Sequence, residues 1–155
     1  MKTKRILHSI FSISIAIFFI NAGYGKLTKK RLKPVEKDQV IEYIFEKNSY
    51  EAPVGYNITM NTFKQSGFLN LVSVFQIIAG LLIIVPTTRL FGLLLLFPVI
   101  FNIFMMHVFF DNRPDENTET GILLFLNILL LLHYYKKVFR LILLDNVSLF
   151  RPFIK

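Results

Sequence analysis

His107 and Asp111 are the two residues whose types and spacing come nearest to a catalytic pair. They stand four positions apart at the end of an apolar segment, so a helix would bring their side chains together. Such a pair can relay a proton or position the headgroup of a quinone-like lipid. An ordinary hydrogen bond at a helix end is the alternative. The two residues are catalytic candidates on their spacing alone.

Carboxamide side chains occur well inside each of four long apolar segments. They belong to Asn21, Gln76, Asn102 and Asn127. Because hydrophobicity cannot drive helix packing in lipid, polar residues tend to mark the inward faces of membrane helices. The four amides can meet at mid-depth or toward the side of the longest loop, and the functional interpretation is a ligand-binding pocket lined by them. The alternative is hydrogen bonding between helices, worth about 0.6 to 2 kcal/mol for each bond.

Lys26 is the fifth candidate for ligand binding. It follows Gly23 and Gly25 at the end of the first apolar segment. Glycines at these positions would let another backbone or a ligand approach closely. A lysine that reaches up to the membrane interface, and contacts no ligand, is the alternative interpretation.

His8 and His133 are expected at the same end of the molecule, because one opens the first apolar segment and the other closes the fourth. A facing pair could ligate a haem iron, but no spacing motif supports haem, and we do not expect it. The chain has no cysteine, which excludes thiolate nucleophiles and cysteine-ligated clusters. No metal site is predicted.

The elements that must position these residues are the four apolar segments themselves. A hydrocarbon core of about 30 Å needs roughly 20 helical residues, within a range of about 17–25, and its polar backbone groups must be satisfied within the helix. The sequence therefore predicts an all-α, integral membrane four-helix bundle that forms a single domain over residues 1–155. The predicted spans cover residues 6–24, 69–85, 90–110 and 120–135.

Composition and charge agree with a membrane protein. Hydrophobic residues make up 54% of the chain, and its net charge is +8. Lysine and arginine flank the apolar segments and do not form one stripe, so the lipid bilayer is the expected partner and nucleic acid is not. We expect the first segment to be a retained helix, because basic residues follow it at once as in a stop-transfer flank.

The long loop, residues 27–67, is expected to be either a lid over the bundle or a solvated connection. It contains an amphipathic pattern over 36–47, and Pro53 and Gly55 indicate a turn. An acidic loop is predicted over 111–119, and residues 136–155 are predicted to extend the fourth helix and then lie at the interface. Four spans place both termini on one side. We expect that side to be the cytoplasm.

The sequence resembles the DoxX and DoxX-like family of small four-helix membrane proteins. The end of the first segment reads NAGYGKL over residues 21–27, similar to the family's G-x-x-K-L ending. The second segment reads FQIIAGLL over 75–82, followed by VPTTRL over 85–90, similar to the family's E-x-x-x-G-L run and its turn. Many members carry glutamate where Gln76 stands, and glutamine keeps the hydrogen bonding but cannot titrate.

The resemblance implies a membrane protein that serves as an accessory subunit of an oxidoreductase-type complex. We expect it in the bacterial inner membrane. Such a subunit would bind a partner membrane protein or a quinone-like lipid. Two alternatives remain open. One is an assembly factor that shields the polar helix faces of other membrane proteins. The other is an enzyme acting on a small hydrophobic substrate through His107 and Asp111, although we lean away from an enzyme.

Overall fold

The structure is a computed structural model that describes residues 2–28, 36–38, 40–41 and 52–140. Every regular element among these residues is helical, which confirms the all-α prediction. The elements in chain order are α1 (Lys2–Thr28), α2 (Ala52–Gln65), α3 (Phe68–Ile84), α4 (Arg89–Met106), a π-helical turn (His107–Asp111), α5 (Pro114–Leu132) and α6 (Tyr135–Phe139).

Two of these helical stretches are long and apolar enough to cross a membrane on their own, Arg5–Thr28 and Arg89–Asp111. A third crossing is counted if Val54–Gln65 and Phe68–Ile84 form one broken span, with a bend of 82° between them. By itself α3 has 17 residues, at the short limit for a span. The first turns of α5 carry acidic residues, so its apolar part is shorter than the helix.

The long helices pack in the order α1, α3, α4, α5, each running opposite to its neighbour. At the end that carries the N-terminus, the Arg89 guanidinium donates to the Ile83 carbonyl and to Ser9 Oγ, both at 3.0 Å. At the same end, His8 Nε2 lies 3.3 Å from the Leu130 carbonyl oxygen, so α5 also contacts α1. The core between the helices is apolar and consists of Ile15, Ala16, Phe19, Ala79, Ile83, Leu93, Leu96, Ile100 and Leu130.

Three glycines set the spacing of α1, α3 and α4. A methyl group added at Gly23 would lie 2.7 Å from the Ser73 carbonyl oxygen, and one at Gly92 would lie 2.8 Å from that of Ala79. At Gly80 it would lie 2.9 Å from a carbonyl oxygen of α1. Small residues allow this close approach of backbones, which is the usual basis of helix packing in lipid.

Helix α2 was not predicted, because Pro53 and Gly55 were interpreted as a turn. Proline is compatible with the first turn of a helix, where its missing N–H has no partner to lose. Gly55 is buried within the helix. Gly67 then adopts a left-handed conformation, with φ of 78°, at the 82° bend between α2 and α3. Most of the amphipathic pattern predicted over 36–47 lies outside the described residues.

Two further boundaries differ from the predictions. The acidic loop expected over 111–119 is only two residues long, because α5 already begins at Pro114. Proline at the first position and acidic residues in the first turn both favour a helix start there. The fourth helix does not continue unbroken into the tail, since a turn at His133 and Tyr134 separates α5 from α6. Residues 141–155 lie outside the described residues.

An amphipathic cavity beneath helix α2

A cavity of about 450 Å3, which we call the outer cavity, lies between α2, α3 and α4. Its volume falls within the range of about 300–1,000 Å3 that is typical of small-molecule sites. Polar side chains are few in its lining and belong to Lys26, Tyr56, Asn102 and His107. The rest of the lining is apolar and includes Met60, Phe63, Leu69, Val72, Phe75, Leu95, Val99 and Ile103.

His107 and Asp111 form the hydrogen bond that their spacing predicts. Nδ1 of His107 lies 3.1 Å from Oδ2 of Asp111, and both side chains are buried. Because an ionised carboxylate only accepts hydrogen bonds, Nδ1 of His107 carries a proton, and the bond fixes the orientation of the ring. The π-helical turn that holds the pair is a rare element that occurs often at functional sites.

Arg113 completes this group and was missed by the sequence analysis. Its Nε donates to Asp111 Oδ1 at 2.8 Å and its Nη2 to Oδ2 at 2.7 Å, so the carboxylate is held at both oxygens. Nη2 also lies 3.2 Å from Glu116 Oε1. The hydrogen bonds to Asp111 raise the pKa of Arg113 above its ordinary value. The Arg113–Asp111 pair holds Asp111 in place beside His107.

Tyr56 is the second functional candidate that the sequence analysis missed. Its ring lies against the His107 ring, with centroids 5.4 Å apart and planes 33° apart. Tyr56 belongs to α2, so it brings the helix above the cavity into contact with the buried His107–Asp111 pair. No signal in the sequence pointed to it, because the segment was interpreted as a loop.

Lys26 and Gln76 meet at the inner end of the outer cavity. Lys26 Nζ donates to Gln76 Oε1 at 2.9 Å, and Gln76 is fully buried. A second space of about 130 Å3, which we call the inner chamber, is lined by both residues and extends to the exposed Glu119. Lys26, Ile103 and His107 line both spaces. Two of the predicted binding residues, together with the predicted catalytic histidine, therefore lie at one junction.

The four predicted amides do not converge, which corrects the expectation of a single amide pocket. Asn21 is not covered by the protein, because α1 buries the face that holds Phe19, and a residue two positions later points roughly 200° away. Asn102 is also exposed and donates to the Pro98 carbonyl at 2.8 Å. Asn127 is fully buried, but its Nδ2 donates across to the Leu93 carbonyl at 3.4 Å.

His8 and His133 lie together, as expected, at the end opposite to the outer cavity. Their rings are in direct contact, with centroids 4.3 Å apart, and Tyr134 packs edge-on against both. Axial histidines of a haem lie on opposite faces of the porphyrin, so rings in contact are not arranged to hold one. Within the described part of the chain, no three His, Asp or Glu side chains form a metal-binding group.

Comparison of the chain with protein-family models, with curated proteins and with solved structures finds no match. The residues Lys26, Gln76, His107 and Tyr56 form the candidate functional site.

Proposed function

We propose that the chain is a DoxX-like integral membrane protein in which α1, α3, α4 and α5 all cross the bilayer. It binds a quinone-like lipid in the outer cavity and serves as an accessory subunit of a membrane oxidoreductase-type complex. In this proposal the protein resides in a bacterial inner membrane with both termini in the cytoplasm. The observation that carries the proposal is the outer cavity, whose lining is mostly apolar and includes a few polar side chains, among them Lys26 and His107.

The alternating directions of the four long helices support four crossings. Adjacent helices in a bundle with short connections run antiparallel, and the turn from α3 to α4 and that from α4 to α5 are both short. The outward surfaces of these helices are strongly apolar. Exposed members include Ile17 on α1, Leu81 on α3, Phe101 on α4 and Phe125 on α5.

A quinone-like lipid matches the distribution of polarity in the outer cavity. An isoprenoid or alkyl tail would contact the apolar lining contributed by α2, α3 and α4. The ring would lie near Lys26 and His107, whose side chains provide hydrogen-bonding groups in the lining. Ligand sites of this kind combine a largely apolar lining with a few convergent polar groups.

Mild extraction followed by mass spectrometry of bound small molecules tests the proposal. Val99→Phe should fill part of the outer cavity, because Val99 lines it, and should reduce the amount of co-purified amphiphile at least several-fold. Val74→Phe is the matched control, because Val74 is exposed on α3 and does not line the cavity. Absence of any amphiphile from the wild-type protein, or equal retention by both variants, would contradict the binding proposal.

The same preparation tests the role as an accessory subunit. A membrane oxidoreductase subunit that co-purifies reproducibly supports it. A mixture of unrelated membrane proteins, with no bound amphiphile, would instead support the assembly-factor alternative.

An enzyme is the second candidate, and the His107–Asp111 pair favours it. The pair is buried, is fixed by Arg113 and lines the cavity through His107, an arrangement suited to a general base. Conversion of the extracted amphiphile by the purified protein, lost in His107→Gln while binding is retained, would support this function. Unchanged conversion in His107→Gln would exclude the pair as its basis.

A further inference from the structure

The inner chamber has a hydrogen-bond donor that no described residue satisfies. Gln76 is 0% exposed, and its Oε1 accepts from Lys26. Its Nε2 has no hydrogen-bond partner in the described part of the chain. Leaving a buried polar group unsatisfied destabilises the folded protein. The chamber is therefore expected to contain an acceptor that is not part of the described protein.

The charges around the chamber indicate what kind of acceptor fits. Glu116 and Glu119 line it together with Lys26 and His107. Two carboxylates on the lining disfavour a carboxylate or phosphate, since like charges repel. The Thr120 hydroxyl already donates to the Glu116 carbonyl at 2.7 Å. A neutral acceptor oxygen is the group that the chamber favours.

The volume of the chamber limits the size of that group. At about 130 Å3 it is close to the roughly 150 Å3 engineered cavity that accommodates benzene. A single ring or an ester group fits in such a space, whereas a phospholipid headgroup with its phosphate and alcohol does not. Lys26, Ile103 and His107 line both spaces, so the two adjoin there, and a molecule with its polar group in the chamber would have its tail in the outer cavity.

We propose that the inner chamber binds the neutral carbonyl group of an amphiphile, with Gln76 Nε2 donating to the carbonyl oxygen and the tail lying in the outer cavity. This inference rests on the proposed lipid-binding function and makes Gln76 its specificity-determining residue. A quinone ring and the ester of an acylglycerol share the required chemistry. Both can be tested separately.

Equilibrium binding to the full-length protein in mild detergent provides the test, with four probes. Decylubiquinone and 1-oleoylglycerol carry a neutral carbonyl, oleate carries a carboxylate, and dodecylbenzene has a tail without oxygen. Gln76→Glu keeps an acceptor for Lys26 but removes the Nε2 donor. We expect this substitution to weaken binding of the tighter-binding carbonyl probe by about tenfold or more. Binding of dodecylbenzene should be unchanged. The carbonyl probe that binds more tightly shows whether the ligand is a quinone or an acylglycerol.

Ser73→Ala is the matched control, because Ser73 is a buried polar residue on the same face of α3 and lines neither space. Its binding should equal that of the wild type. Gln76→Met provides a second variant without the donor if Gln76→Glu lowers the melting temperature below the assay temperature. Each variant is compared by its thermal melting curve before binding is measured.

The outcomes separate the two proposals. If wild-type protein binds none of the four probes, the proposed lipid-binding function fails. If carbonyl probes bind equally to the wild type and to both Gln76 variants, the role of Gln76 is overturned, and water satisfies Nε2. Tighter binding of oleate than of the carbonyl probes would overturn the assignment to a neutral group.

Discussion

Lys26 Nζ donates to Gln76 Oε1 across 2.9 Å, which joins the end of α1 to an amide buried in α3. The contact places a cation between the outer cavity and the inner chamber. It also gives Lys26 a hydrogen-bond partner within the protein, where the alternative interpretation was an interfacial anchor.

Removing the lysine should destabilise the protein more than removing both partners. Lys26→Met leaves both polar atoms of Gln76 unsatisfied, and we expect it to lower the free energy of unfolding by about 1–3 kcal/mol. In Lys26→Met/Gln76→Leu no buried amide remains, so part of this loss should be recovered. Denaturation in mixed detergent micelles measures the free energy of unfolding of the single and the double variant. Lys136→Met, at an exposed position, is the control. If the effects of the two single substitutions add in the double variant, Lys26 and Gln76 are not coupled.

Enlarging the glycines between helices should be costly where the nearest atom is backbone. A methyl group in Gly92→Ala would lie 2.8 Å from the Ala79 carbonyl oxygen and from the Ile83 nitrogen. Overpacking of this kind costs about 1–3 kcal/mol. In Gly121→Ala the nearest atom belongs to the Phe104 ring, at 3.3 Å, and alanine favours a helix by up to about 1 kcal/mol. A melting temperature for Gly92→Ala at or above that of Gly121→Ala would refute this packing argument.

The Asp111–Arg113 pair should stabilise the π-helical turn. Arg113→Gln removes two hydrogen bonds to a buried carboxylate, and we expect a loss of about 1 kcal/mol, since the guanidinium is half exposed and screened by solvent. Glu116→Gln affects only the longer 3.2 Å contact and should cost less. A double-mutant cycle on Asp111 and Arg113 checks this, and a coupling energy near zero would contradict it.

The Tyr56–His107 contact should determine how firmly α2 covers the outer cavity. Tyr56→Phe keeps the ring against His107, whereas Tyr56→Ala removes it. Aromatic pairs contribute about 0.5–1.5 kcal/mol beyond their burial. We therefore expect amide hydrogen exchange in α2 to accelerate about five- to tenfold in Tyr56→Ala and hardly at all in Tyr56→Phe. Equal exchange in the two variants would mean that α2 is held elsewhere.

Single cysteines can establish how many helices cross the membrane, because the chain has none of its own. With four crossings, cysteines at Thr3, Thr87 and Lys136 react with an impermeant reagent from one side. Cysteines at Ser66 and Thr118 react from the other. All five positions are exposed. If position 136 reacts from the same side as position 118, α5 does not cross, and if position 66 reacts from the same side as position 87, α3 does not cross.

The expectation that polar residues mark inward faces is confirmed for α3, whose buried face carries polar and small residues. Gln76 and Gly80 are both buried there, as is Ser73. The same reasoning failed for Asn21, since α1 has serines on two faces. Ser12 is buried and Ser14 is exposed, although both donate to the carbonyl four residues earlier. Polar residues in α1 therefore do not identify its inward face.

The contacts of Arg113 depend on a backbone conformation that the sequence does not specify. Asn112 adopts a left-handed conformation, with φ of 47°, which asparagine tolerates better than most residues. This turns the chain so that Arg113 reaches back to Asp111. Tyr56 was missed for a related reason, because proline and glycine occur both in turns and in the first turns of helices.

The close backbone contacts at Gly23, Gly80 and Gly92 have a mechanical consequence. Helices α1, α3 and α4 leave no space for a methyl group where they meet, so sliding of one past another would force atoms to collide. If the outer cavity takes up a ligand as we propose, we expect α2 to be the element that moves, because it lies over the cavity and contacts the rest of the protein through Tyr56 and His107.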